Sequence, residues 1–256
     1  MSNASIAAGT TPPGTSDEEQ AAHWVRQMFC GIAPRYDLIN HILSLNVDRS
    51  WRKVLKQRLE PALKTPRAKV LDLCCGTSDV MLDLQSTAAA SVMGADFCHA
   101  MLRSARAKAL RKGFPSPLFE ADALELPLAH DSLDAISIAF GFRNLANYTN
   151  GLLELHRVLK PGGLLAILEF SHPPGTLTKA AYAMYSRIVL PAIGTLISGS
   201  RSAYSYLPDS IRKFPRAGEL GAMIEQAGFA ETGFQLLTGG IAALHFGRKS
   251  APGGAR

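Results

Sequence analysis

KVLDLCCGTSDVMLDLQSTAAASVMGAD, residues Lys69 to Asp96, carries the pattern from which the rest of the fold follows. An apolar strand (Val70, Leu71, Leu73) carries one acid, Asp72, and stops at a turn of small residues, Cys74-Cys75-Gly76-Thr77-Ser78. A helical pattern follows, and a second apolar run, Ser91 to Ala95, ends in another acid, Asp96. Strand, tight turn, helix, strand, acid is the sequence form of a nucleotide-binding βαβ unit. The turn lets backbone approach a ligand, and the second acid can accept both ribose hydroxyl protons.

Outward from this unit, strand and helix continue to alternate. Strands are predicted at Lys69–Leu73, Val92–Asp96, Pro117–Glu120, Leu133–Phe140 and Leu164–Phe170, with helices at Val80–Leu84, His99–Lys112 and Asn147–Leu159. Such alternation predicts a parallel sheet covered on both faces. Pro161-Gly162-Gly163 closes the Asn147–Leu159 helix and turns the chain into the next strand. A last helix, Ala217–Ala227, leads to strands Phe229–Leu237 and Ile241–Arg248, and the short join Thr238-Gly239-Gly240 requires that pair to be antiparallel.

Two segments fall outside the alternation. Helices at Ala21–Phe29, Arg35–Leu45 and Asp48–Leu59, the last ending before Pro61, form an N-terminal section (21–66) too small for its own core, hence a cap on the main domain. Residues 171–215 form an insertion rich in tyrosine (Tyr182, Tyr185, Tyr204, Tyr206). Its uncharged run Ile188 to Ser200 is only 13 residues long. A bilayer-spanning helix needs roughly 20 apolar residues, so this segment reads as a lid. Residues 1–20 and 250–256 read as flexible ends, leaving one domain over 21–249 with its cofactor-binding core at 67–170 and its final helix and hairpin at 216–249.

The chain has 256 residues, 47% of them hydrophobic and 19% charged, with a net charge of +6. One large core fits this length. Lys and Arg are spread along the chain, which argues against nucleic acid, and Arg103, Arg106, Lys108, Arg111 and Lys112 read as the solvated face of one helix. A peripheral contact with an anionic membrane surface and a homodimeric state are further expectations. The N-terminus lacks the basic and apolar regions of a signal peptide. Cys30, Cys74, Cys75 and Cys98 contain no CxxC pair, so neither a disulfide framework nor a zinc ribbon is predicted. The expectation is a reducing cytoplasm and no metal.

The acids narrow the ligand. Only Gly76 remains of the glycines expected in the turn, with Cys74 and Ser78 at the flanking small positions. Asp72 can hold loop amides or a ligand amine, Asp96 ends the second strand 20 residues past Gly76, and Asp122-Ala123 follows the third, where an adenine amino group would be met. A carboxylate beside the turn is unfavourable next to pyrophosphate and favourable next to a cation. That favours a nucleoside bearing a sulfonium and an amine, such as S-adenosylmethionine, over a dinucleotide.

With these residues in place the chain resembles the ubiquinone/menaquinone biosynthesis C-methyltransferases. The specific pieces are Ala33-Pro34-Arg35-Tyr36-Asp37-Leu38-Ile39-Asn40, Phe140-Gly141-Phe142-Arg143-Asn144, Leu159-Lys160-Pro161-Gly162-Gly163, Leu168-Glu169-Phe170-Ser171, Tyr204-Ser205-Tyr206-Leu207 with Ser210-Ile211-Arg212, and Leu237-Thr238-Gly239-Gly240 with Ala243-Leu244-His245. The resemblance implies a Rossmann-like class I methyltransferase, an α/β fold. Its central sheet has seven mostly parallel strands with an antiparallel last strand, an N-terminal helical cap and a helical insertion after strand 5. It implies S-adenosyl-L-methionine as cofactor, with contacts at Thr77, Asp96, Asp122 and Ala123, and Ala139 where the family carries a serine; the turn itself adds Asp72 and Gly76 as candidate cofactor-site residues. Methyl transfer to a ring carbon of a prenylated quinol in menaquinone or ubiquinone biosynthesis is the implied reaction. Arg143 and Asn144 would act on the ring hydroxyl, Tyr36 and Asp37 would close over the acceptor, and His245 would relay a proton. Arg143 has a second reading as the ion-pair partner of Asp37 or Glu169, and His245 a second reading as a packed core residue. Methylation of another lipophilic phenol or lipid, and a non-catalytic scaffold of the same fold, are the competing functions.

Overall fold

The computed structural model describes residues 9–33, 46–175 and 201–250, with the side chains of 201–205 excepted. Tyr36, Asp37, the predicted helix Arg35–Leu45, Tyr182, Tyr185, the side chain of Tyr204 and the run Ile188 to Ser200 lie outside the described residues.

Strands β1 (Lys69–Leu73), β2 (Ser91–Asp96), β3 (Leu118–Glu120), β4 (Leu133–Ala139), β5 (Leu159–Phe170), β6 (Phe229–Leu237) and β7 (Ala242–Lys249) form one sheet in the order β3-β2-β1-β4-β5-β7-β6. β1 to β5 pair in parallel, and β7 runs antiparallel to both β5 and β6. The mostly parallel seven-stranded sheet with an antiparallel last strand is therefore present. Pro161-Gly162-Gly163 lies inside β5, where Gly162 takes φ +79° and the pairing with β4 shifts register, so it makes a bulge and does not precede the strand.

Because side chains alternate across a strand, each strand feeds two cores. Leu71, Leu73, Ile136, Ile138, Leu165 and Ile167 face helices α5 (Tyr148–Val158) and α7 (Ala217–Gln226). Val70, Val92, Ala135, Ala166 and Leu168 face α2 (Asp48–Leu63), α3 (Asp79–Gln85) and the end of α4 (His99–Arg111). Helix α2 continues through Pro61 to Leu63, beyond its predicted end, because Leu59, Ala62 and Leu63 are buried in that second core. Packing of that face outweighs the one backbone hydrogen bond proline removes.

The N-terminal segment is more ordered than expected. Helix α1 spans Glu18–Ile32, capped by Asp17, whose carboxylate accepts the Gln20 N–H at 2.8 Å. Upstream, Thr10 is buried and its N–H donates to the Leu145 carbonyl at 2.8 Å. Thr10 and the Asp17 cap of α1 are thus tied down within the stretch expected to be a flexible leader. Helix α6 (Arg201–Lys213) packs its Tyr206, Ser210 and Ile211 inward.

Cys30 of α1 and Cys98, just before α4, are joined in a disulfide, which overturns the expectation of none. Cysteine spacing gave no sign of it, because the two are 68 residues apart and only the docking of α1 brings them together.

Candidate active site

The strand order reverses between β1 and β4, and ligands in open α/β sheets bind beyond the carboxyl ends of the strands at such a point. A cleft lies there, built from the ends of four parallel strands: Cys74 and Gly76 after β1, Asp96 and Phe97 from β2, Asp122 and Ala123 after β3, Phe140, Gly141 and Asn144 after β4. Ala22 and Phe29 of α1 close one side. Its empty volume is about 700 Å³, open solvent at the mouth included, within the usual range for small-ligand sites.

The turn after β1 has an alternating backbone. Cys74, Gly76 and Ser78 take φ of +55°, +53° and +70°. Two residues with a Cβ thus occupy left-handed positions that glycine fills without strain. The turn aims the Gly76 N–H at Asp96, whose Oδ2 accepts it at 2.9 Å, while Oδ1 accepts the Cys98 N–H at 2.9 Å. Each carboxylate oxygen keeps a lone pair for a further donor. Burial raises the Asp96 carboxyl to about 6 despite those two amides. Asp122 is fixed by its own turn, its Oδ1 accepting the Leu124 N–H at 2.9 Å.

Asp72 does not line this cleft. It is buried, its Oδ1 accepts the Ser137 hydroxyl at 2.7 Å, and it also takes the backbone N–H of Met81. Met81 is the third residue of α3, where a helix leaves an N–H without an internal partner. Asp72 therefore holds the amide of the helix behind the turn and does not face a ligand amine. Burial raises its carboxyl to about 7. Thr77 is also buried away from the cleft, its hydroxyl accepting from Lys108 Nζ at 3.1 Å, and the same ammonium pairs with Asp79 at 2.7 Å. Lys108 accordingly leaves the solvated helix face predicted for it. Ala139 packs against the second core and does not line the cleft.

Arg143 is buried in an ion pair with Glu169 (2.8 Å), and the same guanidinium nitrogen donates to the Phe140 carbonyl at 2.6 Å. Glu169 Oε2 also accepts the Arg143 N–H at 3.2 Å. The pairing alternative is the one realised, and Arg143 shapes the turn that carries Asn144 without itself lining the cleft. His245 is likewise corrected to a core residue. Its Nε2 donates to the Ala217 carbonyl at 2.9 Å, and its ring lies 5.6 Å from that of Phe234. Desolvation lowers its pKa to about 4, so it is a neutral group between β7 and α7.

Of the residues the sequence singled out, Gly76, Asp96, Asp122, Ala123 and Asn144 converge on one cleft. Sequence reasoning missed the apolar walls Phe29, Phe97 and Met101 and the polar supports Ser137 and Thr10, and it singled out Tyr206 without its hydrogen bond to Asn144. Phe97 and Met101 carried a signal, since both follow Asp96 in the segment that must pass beside the ligand.

A sheet of this order, with a ribose-type acid ending β2 and a cleft at its switch point, defines a nucleoside-binding fold of the class I methyltransferase type. A solved S-adenosylmethionine-dependent methyltransferase from Aquifex aeolicus matches it with a TM-score of 0.56 at 20% identity, over 82% of this chain and 97% of that one, which shows the shared fold. Residues 15–249 match the model of the ubiE/COQ5 methyltransferase family, and the chain belongs to that family. It is 44% identical to a demethylmenaquinone methyltransferase of Deinococcus radiodurans over 93% of this chain and 97% of that protein. To the protein of the same name from Thermus thermophilus it is 47% identical over 86% and 99% of the two chains. It is a methyltransferase, and its cofactor is S-adenosylmethionine. The residues present fit that group, because Asp96 retains acceptor capacity for a ribose, Asp122 and Ala123 line the same cleft, and apolar Phe97 and Met101 supply surface on which a base can pack.

Proposed function

We propose that the protein methylates a ring carbon of a prenylated quinol, converting demethylmenaquinol to menaquinol. When bound, S-adenosylmethionine supplies an electrophilic methyl group. Asp96 would hold the ribose hydroxyls, the Gly76 turn would carry the backbone past the nucleoside, and Asp122 with the Ala123 amide would meet the adenine. Asn144, which lines the same cleft, would contact a ring hydroxyl of the acceptor, with Tyr36 and Asp37 also proposed to act on the acceptor.

The ring carbon becomes nucleophilic when its neighbouring hydroxyl loses a proton. The carbon–methyl bond would form at the expense of the donor's sulfur–methyl bond; loss of the ring carbon's own proton restores aromaticity and the ring oxygen regains a proton, so that one proton is released overall. The chain's part is to align the ring, favour the phenolate and exclude water. The observation that carries this reading is the shared cleft, whose lining holds both an acid suited to a ribose and an uncharged amide suited to a ring oxygen, together with apolar Ala22 and Phe29 of α1. The names of the Deinococcus and Thermus relatives support the menaquinone ring.

Quinone profiling of a deletion strain tests it. Accumulation of demethylmenaquinone, reversed by the wild-type gene, is the expected result. Accumulation of an unmethylated ubiquinone precursor would move the assignment to the other ring, and an unchanged profile would remove quinols as substrates.

A further inference from the structure

Asn144 brings a carboxamide to the cleft wall, and a carboxamide can present either a donor or an acceptor. Its surroundings decide which. The Tyr206 hydroxyl donates to Asn144 Oδ1 at 3.0 Å, and Nδ2 faces the Phe140 carbonyl at 3.5 Å. Tyr206 is 3% exposed and its ring centroid lies 5.0 Å from that of Trp24 in α1. A second hydrogen bond, 2.7 Å to Thr10 Oγ1, completes the chain. A phenol has one proton, so if Tyr206 donates to Asn144, the Thr10 hydroxyl must donate to Tyr206. Thr10, Trp24 and Asn144 come from separate parts of the sequence, and all three meet at Tyr206, which alone of this group bonds the amide directly.

With Oδ1 engaged by a donor, the amide is locked in one of its two orientations. One Nδ2 hydrogen points toward Phe140, and the other has no partner among the described residues. We infer that Tyr206 is a positioning residue that fixes Asn144 as a hydrogen-bond donor to the ionising ring oxygen of the acceptor. This rests on the reading of the cleft given above. A donor aimed at that oxygen stabilises the phenolate and thereby lowers the pKa of the bound ring hydroxyl. A flipped amide would turn its carbonyl lone pairs toward the same charge and oppose ionisation.

The test is Tyr206→Phe, which keeps the ring against Trp24 and removes only the hydroxyl. One charge-assisted hydrogen bond corresponds to about a tenfold fall in kcat. The alkaline-going limb of the kcat profile should move up by about one pH unit, with S-adenosylmethionine affinity unchanged. A readout independent of turnover is the ionisation of bound 4-methoxy-1-naphthol, followed by phenolate absorbance, whose pKa should rise in the variant by the same amount. Thr10→Val should move both quantities in the same direction by less. An unmoved pH profile and naphthol pKa in Tyr206→Phe would overturn the inference. So would a loss of cofactor affinity and turnover in parallel without a pH shift, the mark of a purely structural role. Wild-type protein that binds S-adenosylmethionine yet leaves demethylmenaquinol unmethylated would instead refute the proposed function, and this inference with it.

Discussion

The Cβ of Cys74 occupies the space that a side chain at Gly141 would need: a methyl group at position 141 would lie 2.3 Å from Cys74 Cβ and 3.0 Å from its Sγ. The contact joins the turn after β1 to the turn after β4, the two segments that form the floor of the cleft. Cys74 takes φ +55°, so the residue that crowds Gly141 is itself in a backbone region suited to glycine.

Gly141→Ala should therefore cost about 1–3 kcal/mol, the usual range for overpacking. The clash is with a Cβ fixed to backbone, which cannot swing aside as a side-chain tip can. Cys74→Gly should remove most of that cost in the double variant, a coupling visible in a urea-denaturation mutant cycle. Additive effects of the two changes would show that the turns move independently.

Asp96 predicts opposite pH trends for stability and binding. Its folded carboxyl is raised to about 6, and that of Asp72 to about 7, from 3.8. The stability these two contribute is therefore full below pH 3.8 and is lost as pH rises through 6 and 7. Ribose hydroxyls donate to an ionised carboxylate, so cofactor affinity should instead rise as pH passes 6. Calorimetric titration across pH 5 to 8 measures this. Asp96→Asn should bind weakly at every pH, and a pH-independent affinity in the wild type would separate Asp96 from the ribose.

Arg143 and Glu169 should behave as one unit. With side chains 6% and 0% exposed, each is the other's compensation for burial, and removing one partner of such a pair costs about 3–5 kcal/mol. Arg143→Ala and Glu169→Ala should both lower the denaturation midpoint and reduce turnover, because Asn144 follows Arg143 directly. Cofactor affinity should fall less than turnover in both. Normal stability in Glu169→Ala would mean that the pair does not hold the turn.

His245→Gln should leave kcat within about twofold of wild type. The glutamine amide can still donate to the Ala217 carbonyl, and no cleft residue loses a contact. The folded pKa of about 4 lies below the ordinary 6.5, so the neutral ring contributes stability that is present above pH 6.5 and lost as pH falls through 4. The variant should lack that acid sensitivity in thermal unfolding. A collapse of kcat with the fold intact would return His245 to the chemistry.

The sheet was legible because its signals are local. Alternating apolar residues, Asp72 and Asp96 at strand ends and the short Thr238-Gly239-Gly240 join all act within a few residues of themselves. Asp96, Asp122 and Asn144 were legible for the same reason, since a residue just past a parallel strand is delivered to the carboxyl edge wherever the chain goes next. Asp72 was placed correctly at its strand, with a backbone amide and a ligand amine both open as its partner, and the amide is the one realised. Which way an acid near a turn points depends on the strand beside it, and Ser137 in register on β4 decides that. For Arg143 and His245 the realised reading was one of two left open, and the choice between them, like the place of Thr10, rests on partners between 26 and 196 residues away, Glu169, Ala217 and Tyr206. No periodicity within one segment reports such a distance.

The Cys30–Cys98 disulfide makes the last prediction. Cys98 lies two residues past Asp96 and donates its N–H to that carboxylate, while Cys30 follows Phe29, which lines the cleft. The bond therefore ties the covering helix to the loop that shapes the ribose acid. Arg26–Glu120 and the packing of Phe29 on Phe97 also hold α1 there, so reduction should loosen the cap without releasing it. Stability should fall by about 2–4 kcal/mol, as for other long loops opened by reduction. S-adenosylmethionine affinity should fall several-fold, since the wall formed by Ala22 and Phe29 would no longer be fixed relative to Asp96. Titration with and without reductant checks this, with the added mass of two hydrogens confirming reduction. Cys30→Ser should bind like the reduced wild type under both conditions. Equal affinity in oxidised and reduced protein would show that the other contacts of α1 suffice to hold the cleft closed.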